Sequence, residues 1–203
     1  MHNVLGIAAA AAAISLMAQP VSAQTWEVDK AHTEITFEVR HFFTPTSGKF
    51  DEFDIDLVYD ADDLGASSVS AVIPIASIDT NNESRDEHLN SPDFFSAGEF
   101  PRMSFESTSI RRVSDDQLIA TGNLTIRDVT REVEMPITIL GVKEIPAEMQ
   151  EMMGGAKRVA SFEAVLDIDR NDFGVGTGQW AADAVVGKTV SIRLLVEAHD
   201  RSE

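Results

Sequence analysis

The chain has 203 residues, 43% of them apolar, with 7 Pro, 12 Gly and no Cys. This describes one ordinary globular domain with a short appendage and excludes a disordered chain, a collagen and a disulfide-stapled miniprotein. A formal charge of −18, from 16 Lys and Arg against 34 Asp and Glu, excludes partners bound through their phosphates, nucleic acid and anionic lipid surfaces alike, and the missing cysteines remove thiolate nucleophiles, Cys-ligated zinc and iron–sulfur clusters.

Val4 to Ala18 is an apolar run, and Val21 and Ala23 occupy the −3 and −1 places of a small-residue cleavage site before Gln24. About 15 apolar residues fall short of the roughly 20 that span a bilayer. Residues 1–23 therefore read as a secretory signal peptide cleaved after Ala23, which predicts a periplasmic protein with no stable membrane insertion after cleavage. Removing 23 of the 203 residues leaves 180, and none of those removed is Asp, Glu, Lys or Arg, so residues 24–203 carry the full charge.

Beyond Gln24 apolar residues alternate with period two, the mark of strands with one buried face. Trp26 and Val28 open the series as a short extra strand or the start of the next. Ile35, Phe37 and Val39 follow, in parity with His41, then Phe53, Ile55, Leu57 and Tyr59, then Val69, Ala71 and Ile73. Thr80 to Phe95 breaks the rhythm. It is polar around Leu89, and Ser91-Pro92 offers a capping side chain before a proline at a first helical position, so the segment predicts a helix. Alternation resumes at Met103 and Phe105, then from Leu118 through Ala120, Gly122 and Leu124 to Ile126, and again at Val133, Met135, Ile137 and Ile139. Pro146 to Met153, ending before Gly154-Gly155, predicts a second short helix. Phe162, Ala164, Leu166, Ile168 and then Val190, Ile192, Leu194, Val196 complete the pattern. No block repeats and no linker divides 24–203, so one domain is expected.

About eight antiparallel strands with few helical residues must bury their apolar faces on one another, as a sandwich or as a closed barrel. Alternation permits both. The inward sets contain no Asp, Glu, Lys or Arg, and a barrel of about eight strands is wide enough to be filled by side chains or to hold one small ligand. Such an interior accepts an apolar guest.

Motifs for chemistry are sparse. Ala182 to Thr189 approaches a phosphate loop, but a strand rather than a helix follows it, so it reads as a turn. His32-Thr33-Glu34 resembles the H-x-E of zinc deaminases without their cysteine ligands, and His32, His41 and His88 lack the i, i+4 spacing of helical zinc ligands. Structural or pocket histidines describe them better than a metal cluster assembled by the fold. The acidic runs at Asp60 to Gly65 and Asp167 to Asn171 depart from calcium loops, with Ala71 at the twelfth place of one and Asp172 at the sixth of the other. No G-x-S-x-G elbow is present. Neither a catalytic group nor a metal or cofactor is expected. Arg85, Asp86 and His88 beside Phe94-Phe95 admit two readings: an ion pair and aromatic plug that seat a helix, or a polar gate where Arg85 or His88 meets a ligand head group.

One ordered series of residues spans nearly all of 25–198. It begins with Trp26-Glu27-Val28-Asp29, Ala31-His32, Ile35-x-Phe37-x-Val39-Arg40-His41 and Gly48-x-Phe50-x-x-Phe53. It continues through Ser77-Ile78-Asp79-Thr80, Arg85-Asp86-x-His88-Leu89, Asp93-Phe94-Phe95 and Phe100-Pro101-x-Met103-x-Phe105. Gly122-Asn123-Leu124-Thr125-Ile126-Arg127, Asp169-Arg170-x-x-Phe173-Gly174 and Val190-x-Ile192 close it. Together these resemble the YceI-like family, polyisoprenoid-binding proteins of bacterial envelopes. The resemblance implies an all-β fold, an extended antiparallel lipocalin-like barrel with one or two short helices, whose apolar tunnel holds a long lipid chain of polyprenyl or quinone type. Asp54 and Asp128 stand where many members have glycine, and the Met-rich segment Val142 to Lys157 is longer than usual.

The expected function is thus an exported carrier of a long-chain isoprenoid or similar lipid. The alternatives are a metal-assisted enzyme on the lipid head group through His32, His41 or His88, and a partner-binding envelope domain without ligand. Expected tunnel residues are Ile35, Phe37, Val39, His41, Phe53, Ile55, Leu57, Met135, Ile137, Phe162, Leu166, Ile192 and Leu194, with Val133 on the same face. Arg85, His88, Phe94 and Phe95 are expected at the mouth. The oligomeric state is open, a homodimer included.

Overall fold

A computed structural model describes residues 24–176 and 178–202; the expected signal peptide lies outside them. The first strands are β1 (Thr25–Val28), β2 (Glu34–His41), β3 (Thr44–Phe50), β4 (Asp54–Val58), β5 (Ser68–Pro74) and β6 (Ile78–Asp79). After helix α1 (Glu83–Asn90) come β7 (Arg102–Arg112), β8 (Gln117–Ile126) and β9 (Val129–Glu144). Helix α2 (Ala147–Gln150), β10 (Arg158–Asp169) and β11 (Val186–Asp200) follow.

All eleven strands belong to one antiparallel sheet. Pairing runs β1-β4-β5-β7-β8-β9-β10-β11 and back to β1, so eight strands close a ring, and the fold is the lipocalin-like barrel rather than the sandwich. The membership of the ring differs from the one that alternation suggests. β2, the strand of Ile35, Phe37 and Val39, stands outside it. β2 pairs with β11 as far as Glu34↔Leu195, and β1 then takes the same edge at Val28↔Ala198 and Glu27↔His199. A strand of 15 residues is long enough to serve two partners in succession. Together with β3 and β6, β2 extends the ring at one end.

β3 and β6 escape the alternation rule for local reasons. β3 reads Thr-Pro-Thr-Ser-Gly-Lys-Phe, and β6 covers only its last two residues, Lys49 and Phe50. The rest of that edge is free of a strand partner, which is where a strand proline is tolerated. A bulge in β7 between Ser107 and Ser109 resets its parity, so that Ile110 packs against the core.

Both helices are shorter than the sequence pattern suggests. Asn82 is the N-cap of α1, and its side chain accepts from Arg85 N–H at 3.0 Å. Ser91-Pro92 does not open a helix but follows one: Ser91 is the C-cap, its hydroxyl donates to His88 O at 2.7 Å, and turns continue to Phe95. A proline just past a helix end is as well placed as one at a start, because it cannot prolong the helix. α2 spans only Ala147–Gln150, and turns lead from it into Gly154 and Gly155 at φ 63° and 83°.

The core has two parts. The larger gathers Ile35, Phe50, Phe53, Ile73, Phe105 and their neighbours, and the smaller groups Trp26, Tyr59, Leu118 and Phe162 where the ring closes. There the Trp26 indole donates to Tyr59 O at 2.9 Å and the Arg158 guanidinium lies 5.1 Å from its ring. No described helix is long and apolar enough to cross a membrane.

Candidate functional site

The inward faces of the ring do not fill the space between them. They enclose a cavity of about 110 Å³ walled by apolar side chains, with Tyr59 and Ser104 its only hydroxyl-bearing residues. Folded interiors hold few voids larger than one water, which needs roughly 10–15 Å³. Of the expected tunnel residues, Ile35, Ile55, Leu57, Met135, Ile137, Phe162, Leu166, Ile192 and Leu194 line this cavity.

Met103 and Ile192 also line a second cavity of about 90 Å³, which lies where the β2–β3 extension, α1 and the turn after it cover the end of the ring. Phe37, Val39, Phe94 and Phe95 stand in its wall with Phe50, Leu89, Ile126, Ile168 and Phe173. Phe37, Val39, Leu89, Phe94 and Val186 are shared in turn with a third cavity of about 230 Å³, which adds His41, Thr46, Thr80, Arg85, His88 and Trp180. Shared wall residues set the three side by side, apolar within the ring and polar at the outer end. Phe53 lines none of them; it is buried in the core, one residue before β4, with the Lys30 ammonium 5.9 Å from its ring. Val133 is half-buried against the same core and lines none either.

At the mouth both readings of the Arg85 segment have a physical counterpart. The Arg85 guanidinium donates to Thr80 Oγ1 at 2.7 Å and to Thr80 O at 2.6 Å, while the Thr80 hydroxyl donates to Asp86 Oδ1 at 2.6 Å. These bonds seat α1 on the end of β6. The same guanidinium still borders the third cavity. His88 meets the rings of Phe94 and Trp180 edge to face at 5.0 and 5.2 Å, and the Trp180 indole donates to Asp93 Oδ2 at 3.3 Å. Trp180 is absent from the sequence-based site because its segment has neither periodicity nor a recognisable motif.

Arg170 is likewise visible beforehand only as part of a resemblance motif. It is 3% exposed, and its guanidinium donates to the carbonyls of Val175, Gly176, Trp180, Val186 and Gly187. Burial draws its pKa below the usual guanidinium range, and the nearby charges of Asp169 and Asp183 pull it back up. Held this way, Trp180 and Val186 stand in one wall of the mouth.

His41 and His88 both border the third cavity, but His32 is remote from it. Val186, which pairs with His41, is in the mouth, whereas His32 precedes the other end of β2, 3.9 Å from Glu197; the seven steps of β2 alone set those ends about 23 Å apart at roughly 3.3 Å per residue. His32 Nδ1 lies 2.8 Å from Asp29 Oδ2; that hydrogen bond raises the His32 pKa and holds the Asp29 carboxyl below its ordinary value.

Residues 26–198 match the model of the YceI-like domain. Protein YceI of Escherichia coli is 32% identical over 184 residues, covering 89% of this chain and 92% of that protein. Burkholderia cenocepacia BcnA superposes with a TM-score of 0.75 at 26% identity, over 85% of this chain and 99% of its own. A polyisoprenoid binding domain from Saccharophagus degradans, 10% identical, shares the fold with a TM-score of 0.63 over 88% of this chain and 99% of that one. With the barrel, its cavities and these matches together, the chain belongs to the YceI-like family.

Proposed function

We propose that this protein is an exported carrier that sequesters or shuttles one long-chain isoprenoid-like amphiphile, its tail in the cavities and its head group at the mouth. The observation that carries this reading is the series of hydrocarbon-walled cavities ending at Arg85, His88 and Trp180. Each buried CH₂ contributes roughly 0.8 kcal/mol, so one five-carbon unit nominally contributes about 3 to 4. A few units reach the non-covalent ceiling of about 18 to 21 kcal/mol, which means that ordering and desolvation costs cancel much of the sum. Chain length therefore sets affinity more than any single contact does.

Further support comes from the apolar leader and the charge of −18, which keeps the surface from adhering to anionic head groups. The Saccharophagus neighbour is itself described as polyisoprenoid binding. Phe43, 92% exposed on the hairpin tip after His41, gives the mouth an apolar lip. A head-group enzyme using three histidines has less to stand on, because His41 and His88 border the mouth while His32 lies beyond the opposite end of β2, about 23 Å away along that strand.

Native mass spectrometry of the protein isolated from cells is the direct test. A co-purified lipid of several hundred daltons is expected, and the bare polypeptide mass throughout would overturn the carrier reading. Leu57→Glu sets a charge in the cavity wall, and burying an unpaired carboxylate is costly enough to lower lipid uptake at least tenfold.

A further inference from the structure

At the end of β11 away from the mouth, Glu197 and His199 flank Ala198, which packs in the core. The turn from β1 into β2 lies against this strand end: Asp29 N–H donates to Glu197 O at 2.9 Å, and Glu197 N–H donates to Thr33 Oγ1 at 3.2 Å. That docking gathers one donor atom each from Asp29, His32 and Glu197 within 4.8 Å of one another. His32 Nδ1 is 2.8 Å from Asp29 Oδ2 and 3.9 Å from Glu197 Oε1, and the same Glu197 oxygen is 3.4 Å from His199 Nε2. A tetrahedral zinc ion with bonds of about 2.1 Å holds its ligand atoms about 3.4 Å apart. The His32–Asp29 and His32–Glu197 separations straddle that value, and His199 meets the group through the Glu197 oxygen.

An independent observation concerns His199. It is 8% exposed, and its buried Nε2 has no hydrogen-bond partner although it faces the Glu197 carboxylate. Buried polar atoms are nearly always partnered, and an orphan calls for a specific reason. A cation on the shared Glu197 oxygen would supply one.

We propose that Asp29, His32, Glu197 and His199 form a binding site for a borderline divalent transition metal of the zinc type. Two imidazole nitrogens with two carboxylate oxygens suit zinc and its neighbours, whereas calcium and magnesium take oxygen ligands. The site joins the β1–β2 turn to β11 where β11 changes partner from β2 to β1, so a bound ion clips the strand that closes the ring. It is separate from the lipid mouth and independent of the carrier reading.

The test uses the purified chain stripped with a chelator and titrated with Zn²⁺ by calorimetry, with Mg²⁺ as control. One Zn²⁺ per chain is expected, with a rise in Tm and no response to Mg²⁺. His32→Ala, Glu197→Gln and His199→Gln each weaken binding at least tenfold, while His41→Ala and His88→Ala leave it within twofold. The His32 side chain is 67% exposed, so its removal leaves the core packing intact. Absence of Zn²⁺ binding, or wild-type affinity in any of the first three variants, overturns the assignment. Co²⁺ bound to the unsubstituted chain decides the matter without any variant: intense visible bands of a tetrahedral site support it, and weak octahedral absorption overturns it.

Discussion

Gly48 lies beside Phe37 in the β2–β3 pair, and a Cβ there would stand 2.5 Å from the Phe37 ring and 2.8 Å from Thr80 Cγ2. Both neighbours border the mouth cavity, so a side chain at this position pushes on the site itself. Gly48→Val is expected to cost about 1–3 kcal/mol, as overpacking does, and to lower lipid affinity; chemical denaturation and a ligand titration check the two effects. Arg170 is a different kind of constraint. Arg170→Met keeps apolar bulk but strips five carbonyls of their donor. At about 1–3 kcal/mol for each buried group left unpaired, the loss amounts to roughly 3 kcal/mol or more even if water reaches some of them. A fall of under about 1 kcal/mol in the unfolding free energy would contradict this account. Neither residue announces its role in the sequence. Gly48 depends on the Phe37 ring of the neighbouring strand, and Arg170 on carbonyls that only the folded loop brings to it.

Among the elements, β11 has the most demands on it, since it pairs with β10 along its length and with β2 and β1 in turn. At its last residue, Asp200 accepts from Arg158 at 2.7 Å and from the Ser202 hydroxyl at 2.6 Å. Burial raises the Asp200 pKa, but the bonds from Ser202 and Arg158 outweigh it and hold the carboxyl below its ordinary value. The folded state therefore binds fewer protons than the unfolded one. Stability from Asp200 is fully present above the unfolded value of about 3.9 and is lost as pH falls through the folded value. Asp200→Asn is expected to flatten the acid limb of stability against pH, measured by denaturant unfolding from pH 6 downward; an unchanged slope would count against the assignment. Element by element, the strands with alternating apolar residues were legible in advance, because alternation is a property of each strand alone. β3 and β6 were not, since an edge strand with a proline and a strand of two residues bury too little to leave a pattern. The Ser91-Pro92 pair shows that one dipeptide suits either end of a helix, and only the backbone decides which.

The molecule as a whole is a ring with a capped, polar outlet, and continuity between its cavities is the property on which carriage of a long chain would depend. Ile192 sits in the wall of both the ring cavity and the second one. Ile192→Trp is expected to narrow that junction, at an overpacking cost of about 1–3 kcal/mol, and to weaken binding of a long polyprenol at least tenfold while a short-chain analogue stays within about twofold. Equal losses for both lengths, in a displacement assay with the two chains, would mean that the cavities do not act in series. The inward parity of most residues that border the ring cavity, from Ile35 to Leu194, was legible in the sequence, because inward residues on a half-buried strand share one parity. The strand order, the closure of the ring through β1, the hollow left inside it, and the meetings of Trp180 with His88 and of Glu197 with His32 were decided only in three dimensions. Those features arise from pairing between distant segments, which leaves no trace in the local spacing of residues.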